Sequence, residues 1–309
     1  MTISVFIDGA AGTTGLEIRE RLAGRSEIAI VALADAQRKD AAARRQALND
    51  ADFVILCLPD EAAREAVALV ENTRTRIIDA SSAHRVADGW TYGFAELEPS
   101  QASAIADAAR VSNPGCYPTG FLALVRPLVR AGVIPADWPL TVNAVSGYSG
   151  GGKAMIAEFE GGSEPTALRA YALDAAHKHG PEMQRHARLE HLPLFAPAVA
   201  ATYRGMLLEV PLVLAALPRR PGLHVVQAAL AEAYRDSALV RVVEDDTALV
   251  RIEDDAGTDR LTLRVCGNAE NGHARLIATL DNLGKGAGGA AVQNLNIMAG
   301  FAPTAGLVL

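Results

Sequence analysis

The sequence predicts an α/β protein, a Rossmann-type dinucleotide-binding domain plus an α+β catalytic domain with a mostly antiparallel sheet. Three observations carry that reading. First, the β-branched run Thr2 to Ile7 enters a glycine-rich turn, Gly9-x-x-Gly12-x-x-Gly15, followed by a helix over about Leu16 to Ala23 and a strand over Ile28 to Leu33. This is a βαβ unit. Second, strands at Phe53 to Leu58 and Arg76 to Ile78 flank a helix over about Asp60 to Val70. Such alternation argues for a parallel sheet with helices on both faces. Third, the pattern changes after residue 116. Leu140 to Ser146, Ala198 to Tyr203, Met206 to Val213, Leu261 to Val265 and Ala274 to Leu280 read as strands, the last two joined through Asn271-Gly272. An Asn-Gly pair suits a hairpin turn.

A last helix over about Ala290 to Met298 is expected to return to the first domain. The expected division is therefore 1–115 completed by 286–309, with 116–285 as the catalytic, substrate and oligomerisation domain. Arg38 to Asp50 is charged and alanine-rich and reads as a solvated helix.

Composition narrows the function. Half of the 309 residues are hydrophobic and the formal net charge is −7. A large core is available, and nonspecific nucleic-acid binding is disfavoured. No apolar run has the length of a membrane span, and the N-terminus lacks a signal-peptide profile. Three scattered cysteines make neither a disulfide framework nor a metal-ligand spacing, which points to a reducing cytoplasm. Cys57 and Cys266 lie in strand-like runs and read as small hydrophobes.

Cys116 is different. It lies in Val-Ser-Asn-Pro-Gly-Cys-Tyr-Pro-Thr-Gly, on a tight Asn113-Pro114-Gly115 turn before a helix start. Pro118 suits the first helical turn, where its missing N–H costs nothing. A thiol at that end feels the positive end of the helix dipole, which favours thiolate. Pro127 falls inside the same helix and predicts a kink or break.

The other motifs are read around this cysteine. The turn Gly9, Gly12, Thr13, Thr14, Gly15 at a first βα junction suits a dinucleotide pyrophosphate. Asp35 favours a ribose hydroxyl and NAD, whereas Arg38 and Lys39 favour a 2′-phosphate and NADP; the residues alone leave both open. Asp79-Ala-Ser-Ser82-Ala-His84-Arg85 follows a strand end, where hydroxyls and a guanidinium suit an anion. Ser146-Gly-Tyr-Ser149-Gly150-Gly-Gly-Lys153 lets backbone amides approach a ligand, but lacks the pattern of a nucleoside-triphosphate loop. His177-Lys-His179-Gly-Pro-Glu182 supplies acid/base groups for a cysteine acting on a carbonyl. His-x-His can also bind metal, but no further ligand cluster accompanies it, and no metal is expected.

Together these motifs resemble the N-acetyl-γ-glutamyl-phosphate reductase family in its short form, over nearly the whole chain. The run Ser112 to Thr119 is very specific to that family; the glycine turn is not. The resemblance implies NADPH-dependent reduction of N-acetyl-γ-glutamyl phosphate through a Cys116 thioester. It implies His177 as acid/base, with His179 and Glu182 orienting it or binding substrate, and Arg85 on the departing phosphate. Ser82, Asn113, Ser146 and Ser149 would line the substrate side. NADP would be held by the first turn, Arg38, Lys39 and Gly150, with Asn282 and Gly284 to Gly289 beside the nicotinamide. A homo-oligomer with a small-molecule substrate is implied. The rivals are a reductase of aspartyl or carrier-linked aminoadipyl phosphate, and a cysteine acyltransferase or hydrolase, which would need no dinucleotide turn. No motif accounts for His84.

Overall fold

The computed structural model describes residues 2–34, 37, 40–162, 166–245 and 247–309. The candidate cofactor residues Asp35, Arg38 and Lys39 lie outside them. The chain divides into two compact units, one of residues up to Pro114 with Ala287–Leu307, the other Gly115–Gly286 with Val308–Leu309.

The first unit runs β1 (Ile3–Asp8), α1 (Thr13–Leu22), β2 (Ile28–Val31), α2 (Ala41–Asp50), β3 (Phe53–Leu56), α3 (Asp60–Leu69), β4 (Arg76–Asp79), β5 (Thr91–Tyr92), α4 (Gln101–Asp107) and β6 (Arg110–Ser112). The strands form one parallel sheet in the order β2-β1-β3-β4-β6-β5. Alternate residues face opposite sides, as strand geometry requires. Val5, Ile7, Ile55 and Ile78 pack on one face with Ile18 and Leu22 of α1. Phe6, Val54, Leu56 and Ile77 pack on the other with Ala47, Leu48, Ala63 and Ala66. The helix expected to be solvated is thus α2, anchored by Ala47 and Leu48; these two apolar residues outweigh its charged composition. The chain reverses its direction across the sheet between β1 and β3, the position where open α/β sheets bind ligands.

The second unit holds α5 (Cys116–Arg130), β7 (Thr141–Gly147), α6 (Gly152–Gly161), β8 (Leu168–Ala170), α7 (Gly180–Ala187), β9 (Leu194–Ala200), β10 (Met206–Val213), α8 (Leu223–Ala233), β11 (Val240–Val243), β12 (Leu261–Asn268) and β13 (His273–Leu280). Its sheet order is β11-β12-β13-β10-β7-β9-β8. The sheet is mixed: β7–β9 and β11–β12 pair parallel, the remaining pairs antiparallel. The strand expected at Ala198 begins instead at Leu194, because parallel pairing with β7 carries it through Pro197. A final helix, α9 (Gly289–Ala299), belongs to the first unit, where Ala291, Val292, Leu295 and Met298 join the core of β1 and α1.

Helix α5 is buried on nearly every side from Tyr117 to Leu128 and packs against β10, β12, β13, α7 and α8. A helix apolar all round belongs in a core. It does not break at Pro127. Proline removes the amide that would donate to the Ala123 carbonyl, and the Tyr234 hydroxyl donates to that carbonyl instead, at 2.9 Å. Tyr234→Phe should therefore cost about 1–2 kcal/mol in chemical denaturation, since it strands a buried carbonyl. The cost should shrink in a Pro127→Ala background, where the helical amide returns; an equal cost in both backgrounds would contradict this account.

Candidate active site

In the first unit, β1 ends in Asp8 and the chain turns at Gly9 with φ +87°. A side chain there would overlap the carbonyl oxygen of Cys57, just past β3. Gly12 donates its amide to the Gly9 carbonyl at 2.9 Å and caps α1, with no side chain capping that end. Thr13 and Thr14 open the helix, and Gly15 packs on the Gly9 carbonyl. The turn thus leaves backbone amides and the positive end of α1 at the switch point, a fit for an anionic pyrophosphate. Arg44 of α2 pairs with Asp8 at 2.7 Å, a contact with no signal in the sequence. Burial, with the charges of Asp79 and Asp8, pushes the Cys57 thiol up to about 12, so it stays protonated.

The Asp79–Arg85 loop is tightly bonded. The buried Asp79 carboxylate accepts the Ser81 amide and hydroxyl at 2.9 and 2.7 Å, and meets His84 Nδ1 at 2.6 Å. The His84 ring stacks on Trp90 with centroids 4.1 Å apart. His84 therefore braces the loop, a role that only the fold reveals. Ser82 donates to Asp60 at 2.8 Å. Arg85 donates Nε to the Asn113 carbonyl at 3.0 Å and Nη2 to the Ala80 carbonyl at 3.1 Å. Asn113 donates Nδ2 to the Ala287 carbonyl at 3.0 Å and accepts from Asn294 at 3.0 Å. The side chains of Ser82 and Asn113 are each held by neighbouring residues, and Arg85 is oriented by two carbonyls.

In the second unit, Cys116 is the first residue of α5, whose N-terminus carries no side-chain cap. Glu182 Oε1 accepts the Gly115 amide at 2.8 Å, fixing the turn one residue before the thiol. Glu182 comes from the first turn of α7, next to His179 at that helix's start. Gly286 lies against Cys116: a β-carbon on it would sit 2.9 Å from the Cys116 Cβ. Its amide donates to the Asp281 carbonyl at 3.0 Å, just past the end of β13.

Next to Cys116, Tyr117 donates to the Ala198 carbonyl at 3.0 Å and accepts from Tyr171 at 3.2 Å. Burial raises the pKa of both phenols, Tyr171 to about 12, so they remain neutral. His177 sits among the rings of Tyr117, Tyr171, His179 and Phe195. Burial, reinforced by Lys178, holds its pKa below the ordinary histidine value. Tyr171 and Phe195 were missed in the sequence because each belongs to a separate strand region. Ser146, buried in β7, lies within hydrogen-bonding reach of Tyr117. Ser149 accepts from Asn282 Nδ2 at 2.9 Å, and Asn282 Oδ1 accepts the Gly205 amide at 3.0 Å. Gly150 packs over Ser146 and Asn282. The second unit therefore brings Cys116, His177, His179 and Glu182 together around the start of α5, and Ser146, Ser149, Gly150 and Asn282 into a second cluster. Among the described residues, no group of three or more His, Cys, Asp or Glu can hold a metal ion.

Comparison with known proteins agrees with this geometry. Residues 4–105 match the model for the semialdehyde dehydrogenase NAD binding domain, and residues 116–282 match the semialdehyde dehydrogenase dimerisation domain. N-acetyl-gamma-glutamyl-phosphate reductase from Sinorhizobium fredii is 50% identical over 305 residues, 96% of this chain and 99% of that protein. N-acetyl-gamma-glutamyl-phosphate reductase 2 from Pseudomonas putida is 50% identical over 302 residues, 96% of each. Aspartate semialdehyde dehydrogenase II from Vibrio cholerae shares the fold at a TM-score of 0.71 and 16% identity, over 97% of this chain and 99% of that one. The structure from Candida albicans, determined with NADP, aligns at a TM-score of 0.68 and 13% identity, over 97% of this chain and 99% of that one. The chain belongs to the N-acetyl-gamma-glutamyl-phosphate reductase family of the semialdehyde dehydrogenases.

Proposed function

We propose that this protein is an NADP-dependent oxidoreductase of arginine biosynthesis. It reduces N-acetyl-γ-glutamyl phosphate to N-acetylglutamate semialdehyde and releases phosphate. The observation that carries the reading is the position of Cys116, first in the uncapped helix α5 on a turn pinned by Glu182. The helix dipole there favours a thiolate, which attacks the acyl carbon and leaves a thioester. Bound NADPH supplies the hydride; Gly9, Gly12, Thr13, Thr14 and Gly15 would hold its pyrophosphate. Arg85, its guanidinium oriented by the Asn113 and Ala80 carbonyls, binds the departing phosphate. His177 contacts the reacting acyl group, and His179, Ser146 and Ser149 shape its pocket.

The protein acts as a homo-oligomer assembled through the second unit, a reading supported by the dimerisation-domain match over residues 116–282. No helix among the described residues is long and apolar enough to cross a membrane, and none of the three cysteines forms a disulfide. Both facts support a place in the reducing cytoplasm.

Purified protein should oxidise NADPH with N-acetylglutamyl phosphate at a kcat/KM at least about 100-fold above that for aspartyl phosphate, a ratio within reach of a site shaped for one acyl chain. In reverse, NADP reduction by the semialdehyde should require phosphate or arsenate. Equal use of aspartyl phosphate would place the protein with the aspartyl-phosphate reductases. Turnover without phosphate in reverse would show a hydrolytic dehydrogenase.

A further inference from the structure

We infer that His177 serves the reaction as a neutral imidazole that donates its Nε2–H to the reacting carbonyl oxygen, rather than as the base that deprotonates Cys116. The inference rests on the reading of Cys116 as the acyl carrier and deepens it.

The tautomer comes first. His177 Nδ1 accepts the main-chain amide of His179 at 3.1 Å. A ring nitrogen that accepts a hydrogen bond carries a lone pair, so the single proton of the neutral ring sits on Nε2. The bond is also structural. His179 precedes α7, and the imidazole caps its amide as an Asx side chain would. Protonating Nδ1 would aim one N–H at another.

That arrangement inverts the one a general base needs. In a Ser-His-Asp constellation, Nδ1–H is donated to a carboxylate and Nε2 keeps the lone pair that takes the proton. Here the nearest acid of the motif, Glu182, has its Oε1 on the Gly115 amide instead. A neutral imidazole that polarises a carbonyl is an established alternative to the imidazolium.

The surroundings hold the ring in place and uncharged. Phe195 lies edge-on at 5.1 Å between centroids, Tyr171 at 5.7 Å, Tyr117 at 6.3 Å, and His179 is tilted at 4.7 Å. Lys178 adds a positive charge nearby, and the two phenols stay neutral. Burial in this cluster and the charge of Lys178 both disfavour an imidazolium.

The chemistry balances without a histidine base. When sulfur bonds to the acyl carbon, the carbon–oxygen bond to phosphate breaks and the electron pair leaves with phosphate. That oxygen is basic and takes a proton from water, the thiol's own proton having gone to solvent when the thiolate formed. Reduction of the thioester then places negative charge on the carbonyl oxygen, where Nε2–H stabilises it. Collapse re-forms the C=O bond, breaks C–S and returns a thiolate, which takes a proton from water. The Nε2 proton of His177 never leaves.

Two measurements test this. A long-range ¹⁵N–¹H correlation spectrum of histidine-labelled protein, without substrate or cofactor at neutral pH, should show His177 as the Nε2–H tautomer. The resonance is assigned by its loss in His177→Gln. An Nδ1–H or cationic pattern would overturn the inference. In kinetics, His177→Ala should lower kcat/KM by about 10²–10³-fold, the usual loss for an oxyanion donor. Glutamine keeps an N–H donor but no basicity, and His177→Gln should recover at least about tenfold of that loss, with a melting temperature showing that both variants fold. Equal losses in the two variants would mean that basicity matters and the inference fails. Mass spectrometry of rapidly quenched enzyme, looking for the acyl group on the Cys116 peptide, reports separately on the thioester reading.

Discussion

Cys116→Ser is expected to lower NADPH oxidation by on the order of 10⁴-fold or more, the scale seen when a covalent nucleophile is removed. The reason is local. A serine hydroxyl is far less acidic than a thiol, and the dipole and amides at the start of α5, enough to favour a thiolate, are too weak to favour an alkoxide. The substitution keeps the Cβ that packs against Gly286, so the fold should be unchanged by circular dichroism and thermal melting. The burst of phosphate released by stoichiometric enzyme should vanish with turnover. A variant that keeps more than about 1% of activity would exclude the thioester route, because no other route at this site offers a comparable nucleophile.

Gly9→Ala should have the second largest effect, this time on the cofactor. The residue has φ +87°, which alone costs a non-glycine residue about 1–2 kcal/mol. Its new methyl group would also overlap the Cys57 carbonyl, and main chain at the end of a central strand cannot move aside. The turn must shift, and with it the amides at the start of α1. Melting temperature should fall by roughly 5 °C, and NADPH affinity, measured by fluorescence quenching in titration, by at least about tenfold. An unchanged dissociation constant would show that the turn does not carry the pyrophosphate.

How far these features were legible from sequence depends on the range of the interaction. The first βα junction, the cysteine at a helix start and the Asn271-Gly272 hairpin are local, set by residues a few positions apart, and they stand where the sequence puts them. The local reading of Pro127 allowed a kink or a break; the helix is unbroken, and the carbonyl that the proline leaves without its amide is taken up by a distant residue, the Tyr234 hydroxyl. The polar side chains likewise meet partners that only the fold supplies. Ser82 is spent on Asp60, Asn113 on Ala287 and Asn294, and Asn282 on Ser149 and Gly205. A motif identifies the residue type that chemistry needs; it does not say whether the scaffold has already claimed its hydrogen bonds. His84 is the converse case, mute in sequence until Asp79 and Trp90 are placed beside it. The mixed character of the second sheet was hidden because parallel partners β7 and β9 are separated by three intervening elements, α6, β8 and α7.

The placement of α9 has a consequence for biosynthesis. Ala291, Val292, Leu295 and Met298 complete the core that Val5, Ile7 and Ile18 begin, so the first unit's hydrophobic interior is open until the end of the chain is made. At a synthesis rate of about 5–20 residues per second, β1 and α1 wait roughly fifteen to fifty-five seconds for their missing wall while the whole second unit emerges. During that interval the ribosome-bound chain presents unsealed apolar surface of the kind chaperones bind. The second unit is interrupted only by the α9 return and is the one able to close first, so the natural order of folding runs against the order of translation.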